Sequence, residues 1–498
     1  MLAVLLILVP GVAAAAVFVV PSNRWRPWVV TCGAACHAAL TVYAVSRPFA
    51  PPTLPWFHLD GLSRYFLVFI TIFFLILTTY LPSYLANNGH RSNRVLCACM
   101  LASLSAMTAV IVARHLAVLW IAVEATTLAT APCIYFEHNS RALEATWKYL
   151  MLCSVGIALA LLGTFFLAYS SLHHGSPTLQ FDALIAQAGE LSPEWLRLAF
   201  IFVLVGYGTK MGLAPMHTWL PDAHSESPAV VSALLSGALL NCAFLGIVRV
   251  YLVVVAAGQV AMIQPLLLFI GLFSMAFAAV AICRQRDIKR LVAYSSVEHM
   301  GMMAFGLGVG GIGVPAALLH VMHNGLTKGV LFLAAGNICH AYGTRSMDQM
   351  HGVLRRVPWS GLLFVAGFFV ITGAPGGGPF VSEIMMLAGA FERGHLAAGC
   401  LFIGLLFLVF IGMGSTVLGC ALGPRPEATS AERERWGETL PILAALLLVI
   451  ALGFYTPPFV TDWIHHTVAT PTTSVLVPPV DAAWGTTIHS FTTTPRIG

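Results

Sequence analysis

Residues 196–220 read LRLAFIFVLVGYGTKMGLAPMHTWL, an apolar run with a lysine, Lys210, set among Gly208, Gly212 and Pro215. The run is long enough to cross a bilayer, which takes about 17–25 apolar residues as a helix. Proline removes a backbone donor and opens a helix. Such a break is tolerated at membrane depth only where protein or water satisfies the freed backbone. A basic side chain near the bilayer centre costs about 2.5–3.5 kcal/mol on insertion scales, so Lys210 needs a reason to be there.

The rest of the chain shares this character. Of its 498 residues, 58% are hydrophobic and 9% charged, against about 25% charged in soluble domains. This composition excludes a soluble globule and predicts an all-α polytopic membrane protein. Fourteen apolar runs stand out, at 2–20, 28–44, 66–84, 95–112, 116–135, 147–168, 196–220, 230–255, 263–282, 291–307, 314–335, 360–387, 396–418 and 440–455. The first begins at Met1 with no basic n-region and no small-residue cleavage site, and reads as a retained span.

Charge distribution orients these spans. With the N-terminus outside, the odd-numbered connections carry fifteen arginines and lysines and the opposite side seven. That asymmetry follows the positive-inside rule and places both termini outside. It also accounts for the net charge of +5 without nucleic acid as a partner. The eleven cysteines lie singly, with no Cys-x-x-Cys pair, and Cys97 and Cys99 diverge on a helix. They read as small buried apolar residues, with no metal or iron–sulfur centre among them.

Three of the four lysines, Lys148, Lys210 and Lys328, fall inside apolar runs, matched by Glu124, Glu298 and Glu383. Ion pairs that glue helices together, or lysines snorkelling to the surface, are the plain alternative to transport. The charges recur, however. Glu124 and Glu298 are 174 residues apart, Lys148 and Lys328 180, and Lys210 and Glu383 173. Spans four to eight therefore map onto spans nine to thirteen, and a unit of five spans inverts its topology on repetition. Each unit also holds one broken span, at Gly212 and Pro215 and at Pro375 and Pro379. The domain reading is a three-helix segment at 1–94, inverted repeats at 95–255 and 256–423, a cytoplasmic loop with the last span at 424–455, and an external Pro/Thr-rich tail at 456–498.

The eleventh run contains His320, His323, Asn324 and Lys328. Positions 320, 324 and 328 share a helix face, so Asn324 or a water is placed to bridge His320 and Lys328. Histidine titrates nearest neutral pH and suits a proton relay. Zinc on His320 and His323 lacks an evident third ligand, so no metal is assigned. The proposed relay is Glu124, Lys148, Lys210, His320, Lys328 and Glu383, with His217, Asp222, His224, Glu298, His299, His323 and Asn324 as further candidates.

Two stretches then become recognisable. The segment from Tyr207 through His224, followed by Ser227 to Leu235, resembles the signature of the antiporter-like subunits of respiratory complex I and its relatives. Asp287 to Gly301 is similar to that family's second-repeat signature. The resemblance spans about residues 60 to 420. Within the family, the Ser-Val-Glu-His-Met-Gly stretch and Glu383 look most like the subunit-F branch of the hydrogenase-4 and formate hydrogenlyase group.

The resemblance implies a Glu124–Lys210 ion pair, a central relay at Lys328 and His320, and a terminal site at Glu383. It implies a proton-translocating subunit without its own cofactor, in a bacterial or archaeal inner membrane. Its partners would be lipid, other membrane subunits and a peripheral iron–sulfur and nickel–iron arm. Two departures stand out: Asn324 occupies the place of the family's relay histidine, with His323 beside it, and a long lateral helix is absent, about 43 residues following Tyr455. The alternatives are the membrane part of a cation/proton antiporter or inorganic-carbon transporter, and a scaffold that does not pump. Lysine and histidine favour protons over sodium, because an ammonium repels a cation.

Overall fold

The computed structural model describes residues 1–48, 54–87, 91–172, 177–423 and 434–468. These are almost entirely helical, and their only β pairing is three isolated bridges. An N-terminal group comprises α1 (Leu2–Val19), α2 (Arg26–Ser46) and α3 (Gly61–Asn87). Next come α4 (Arg94–Val112), α5 (Leu116–Ile134), α6 (Ser140–Ser170) and the short α7 (Phe181–Ala186). The opening sequence becomes α8 (Pro193–Met211), a break, and α9 (Trp219–Glu226). The chain continues through α10 (Ala229–Leu234), a π turn at Leu235–Leu239 and α11 (Leu240–Ala256).

Four further helices are α12 (Val260–Cys283), α13 (Ile288–Val309), α14 (Gly313–Tyr342) and the one-turn α15 (Val353–Arg356). A second broken span follows as α16 (Pro358–Ile371) and α17 (Gly378–Glu392). The described chain ends with α18 (Leu396–Leu422), α19 (Trp436–Phe454) and α20 (Pro458–Val468).

Every one of the fourteen apolar runs falls on helix, but the count of fourteen spans is not met by length and apolarity. Among the described residues ten helices qualify. The other four runs are 196–220, 291–307, 314–335 and 360–387. They carry Lys210, Glu298, Lys328 and Glu383, and two of them, 196–220 and 360–387, are interrupted after Met211 and Ile371. Within the expected Pro/Thr-rich tail, 458–468 form α20, packed on α3, while 469–498 lie outside the described residues.

Close helix contact is set by glycine, which lets backbones approach as packing in lipid requires. A Cβ at Gly163 of α6 would meet the Ala199 carbonyl at 2.9 Å and Val203 N at 2.9 Å on α8. A Cβ at Gly206 would strike Ala160 and the Gly156 carbonyl. Gly271 on α12 and Gly301 on α13 repeat this arrangement, each glycine lying 2.7 Å from the other's carbonyl by the same measure. The segment Ala229–Ala256 and most of α14 are fully enclosed by protein, so the polar groups of the candidate site face other helices and not lipid.

Both broken spans use glycine where the backbone turns left-handed. Gly212 caps α8 at φ +86°, and Gly373 and Gly376 turn between α16 and α17 at φ +74° and +95°, values that a residue with a Cβ rarely adopts. Pro379 occupies the first turn of α17, where its missing N–H leaves no intrahelical partner unsatisfied.

Candidate functional site

The first cluster lies between α5, α6 and α8. Lys210 is fully buried and donates to Thr127 Oγ1 at 2.8 Å and the Tyr149 hydroxyl at 2.6 Å. Its ammonium also sits over the Tyr149 ring, 4.5 Å from the centroid. Glu124 accepts from Ser154 Oγ at 2.8 Å and, at 3.5 Å, from Thr127. The expected Glu124–Lys210 ion pair is therefore not direct: Thr127 stands between them, within reach of both. Thr127 is three residues after Glu124 on α5, so the two side chains share a face.

Lys148 is corrected more substantially. It was expected inside the membrane interior, but its side chain is 44% exposed and ion-paired with Glu144 at 2.6 Å and Asp222 at 3.0 Å. Asp222 also binds Arg290 at 2.5 Å, so this patch joins α6, α9 and the start of α13. Helix α6 begins at Ser140, so Lys148 lies about two turns inside it, where the preceding polar turns carry Glu144 on the same face.

The second cluster is built on α13, α14 and α17. Lys328 is fully buried and donates to Ser295 Oγ and, at 3.4 Å, to the Val292 carbonyl. Glu298 lies within electrostatic reach of Lys328 and of Glu383. One turn away runs a continuous hydrogen-bonded row. His299 Nδ1 and His320 Nε2 are 2.9 Å apart, His320 Nδ1 meets Ser382 Oγ at 2.9 Å, and Ser382 Oγ meets His323 Nδ1 at 3.2 Å. Glu383 follows Ser382 in the first turns of α17, against Gly373 of the break, and its Oε1 has no hydrogen-bond partner.

Asn324 does not bridge His320 to Lys328. Neither its amide oxygen nor its nitrogen has a partner among the described residues, although it is fully buried. Such a polar, unsatisfied pocket is where a buried water is expected. His224 is likewise buried with both ring nitrogens unpartnered, stacked on Phe332 at 4.9 Å and within electrostatic reach of Lys328. His217 is buried beside Phe277, their ring centroids 4.4 Å apart, and its Nδ1 is unpartnered. The third metal ligand that the sequence did not reveal also exists in space: His299 and Glu383, not His323, offer donor atoms beside His320.

Hydroxyl groups were missed by charge-based reading. Thr127, Tyr149, Ser154, Ser295 and Ser382 hydrogen-bond the charged groups and histidines, and each hydroxyl is both a donor and an acceptor. A signal existed for three of them: Thr127 and Ser295 are three positions from Glu124 and Glu298, and Ser382 adjoins Glu383.

Comparison with known proteins agrees with this architecture. Residues 113–412 match the family described as NADH:quinone oxidoreductase/Mrp antiporter, TM. The chain is 38% identical over 369 residues to a hydrogenase-4 component F homolog of Methylacidiphilum infernorum, covering 73% of this chain and 77% of that one. It superposes with a TM-score of 0.83 on a chain of the membrane-bound sulfane sulfur reductase, an archaeal respiratory membrane complex. That match has 19% identity and covers 93% of this chain and 96% of that one. On a chain of respiratory complex I from Thermus thermophilus the TM-score is 0.82 at 23% identity, covering 96% and 100%. A likeness at such identities establishes the fold, while the family match spans well over half the sequence. The chain therefore belongs to the NADH:quinone oxidoreductase/Mrp antiporter transmembrane family, as one of its antiporter-like, multi-span membrane subunits.

Proposed function

We propose that this chain translocates protons for a redox-driven membrane complex of the hydrogenase-4 or complex I type, carrying no electron carrier itself. The observation that supports this best is the row His299–His320–Ser382–His323 beside Lys328 and Glu383. Every link in it can both give and take a proton. In this reading Lys210, with Glu124 and Thr127, forms one site and Lys328 with the histidine row the next. Glu383, at the break between α16 and α17, is the terminal group toward the outside. The two charged units at 95–255 and 256–423 act as inverted repeats, in a bacterial or archaeal inner membrane with both termini outside. Lys148 serves at the edge of the first site through Asp222. The partners are further membrane subunits and a peripheral nickel–iron or iron–sulfur arm, in keeping with the printed name of the hydrogenase-4 relative. The family name also includes Mrp antiporters, which favours a cation/proton antiporter as the second reading. Subunits that co-purify with the chain separate the two.

Glu383 provides the direct test. Glutamine keeps its size and hydrogen bonding but cannot ionise, whereas aspartate still titrates. Glu383→Gln is expected to assemble normally and lose proton uptake into inverted vesicles during turnover, while Glu383→Asp keeps part of it. Wild-type pumping by the glutamine variant, with the aspartate variant impaired, would mean that shape and not ionisation matters at this position.

A further inference from the structure

Three donor side chains converge where α13, α14 and α17 cross. One ring nitrogen each of His299 and His320 and one carboxylate oxygen of Glu383 lie within 4.8 Å of one another, and all three residues are buried. The imidazoles meet edge to edge, their facing nitrogens 2.9 Å apart and their planes 21° from parallel. Glu383 Oε1 has no partner, and a Cβ at Gly373 would collide with Oε2, so glycine at that position is what admits the carboxylate.

The geometry points to a site for a zinc-class divalent transition-metal ion, held by His299, His320 and Glu383 with water in a fourth position. Two imidazoles and a carboxylate are the donor set of three-ligand zinc sites, whereas calcium and magnesium take oxygen. Bonds of about 2.0–2.2 Å set the corners of a tetrahedron about 3.3 Å apart. The imidazole pair must then open by about 0.4 Å and the carboxylate close in by up to about 1.5 Å. Glu383 is a long side chain in the first turns of α17 facing Gly373 of the break, so its carboxylate can make this shift by rotation about the side-chain bonds while the helix stays in place.

A second feature also marks these histidines as ligands. A metal-bound histidine normally has its other ring nitrogen fixed by an outer partner. His320 Nδ1 is held by Ser382 Oγ at 2.9 Å, and the Ile371 backbone at the end of α16 lies beside His299. One of the two facing nitrogens carries the proton of their shared hydrogen bond. A metal takes that proton's place and the proton shifts to the other nitrogen of the same ring, leaving two neutral imidazole ligands; protonating either ring or the carboxylate removes a ligand lone pair, so acid weakens binding.

The site rests on donor geometry and not on the transport reading, so the test needs no turnover. Equilibrium dialysis of the purified complex against zinc chloride is expected to show one zinc ion per chain that His299→Gln and Glu383→Gln each weaken by more than about tenfold. Loss of an outer partner alone costs about 10–100-fold. Glu144→Gln, on the exposed edge of α6, should leave this ion in place, and binding should weaken from about pH 8 to about pH 6. Native gels identify the variants that assemble, and His320→Asn provides a third. Equal zinc uptake by wild type and every assembled variant, or no zinc bound by wild type, would overturn the site while leaving the proton reading untouched.

Discussion

At the scale of single residues, the site depends as much on hydroxyls as on charges. Among the described residues Lys210 has no ion pair; Thr127 and Tyr149 receive its hydrogen bonds, and Thr127 also reaches Glu124. Thr127→Val is nearly isosteric but deletes that acceptor. Leaving a buried charged group one partner short costs about 1–3 kcal/mol, so we expect an assembled complex with proton uptake reduced about tenfold. Lys210→Ala should abolish uptake, and Lys210→Arg should not restore it, because arginine does not release its proton in proteins. Vesicle assays on the three variants check this, and normal uptake in Lys210→Ala would favour a scaffold. The lysines and glutamates were legible in the sequence because lipid makes an unexplained charge conspicuous. Thr127, Ser295 and Ser382 left only the weaker signal of their spacing from Glu124, Glu298 and Glu383, since a hydroxyl in a spanning helix commonly bonds its own preceding turn. Lys148 misled in the opposite way: the apolar run after it is long, but α6 starts earlier with polar turns, and the lysine meets Glu144 one turn before it and Asp222 of α9.

At the scale of helices, breaks with glycine and proline were visible in advance, because each residue acts through its own backbone. Gly212 and Gly373 indeed sit at positive φ where α8 and α16 end. The π turn at Leu235–Leu239 left no such mark. It lies in an unbroken apolar run, and its register is set by neighbours: a Cβ at Gly237 would meet Phe73 of α3 and the Gly325 carbonyl of α14. Helix α20 was missed because Pro and Thr dominate the tail, and its order comes from packing on α3. The α6–α8 crossing gives the sharpest test of helix packing. Gly206→Ala places a methyl against the Ala160 backbone and the Gly156 carbonyl, groups that cannot rotate away. Overpacking of this kind typically costs about 1–3 kcal/mol. A lower midpoint of thermal unfolding in detergent is expected for Gly206→Ala, and none for Gly404→Ala on α18, whose added methyl meets nothing within 4 Å.

At the scale of the molecule, one ionic cluster ties separate connections together at one end. Asp60 binds Arg249 at 2.5 and 3.0 Å and Arg114 at 2.5 Å, and Arg114 also pairs with Asp182. Burial alone would push the Asp60 carboxyl up, but Arg249 and Arg114 outweigh it and hold it well below the usual carboxylate range. A depressed folded pKa gives stability that is present above the unfolded value, about 3.9, and is lost only as pH falls through the folded one. The melting midpoint should therefore gain no slope from Asp60 between about pH 8 and pH 5. Asp60→Ala, which strands Arg249, should cost about 3 kcal/mol, the lower end for breaking a buried pair.

The same cluster bears on topology, because it sorts the connections by parity. Asp60, Arg114 and Asp182 follow the second, fourth and sixth apolar runs, and α20, after the fourteenth, packs by Gly61, where the Trp463 carbonyl would lie 2.8 Å from an added Cβ. At the other end a cleft is lined by Arg141, Ser225, Arg286, Arg290 and Arg345, which follow the fifth, seventh, ninth and eleventh runs or begin the tenth. Asn23 binds the Arg91 carbonyl there by the same rule, joining the first connection to the third. An odd number of missed or surplus crossings would have scattered these groups between both ends. Arginine crowds the odd end, and positive charge is retained in the cytoplasm. Single cysteines placed at Arg355 and at Asp462 of α20, in a chain lacking its exposed native cysteines, should thus label from opposite sides: the first only after the membrane is opened from outside, the second in intact cells. Labelling of both from the same side would remove one crossing between α15 and α20 and overturn the count of fourteen spans.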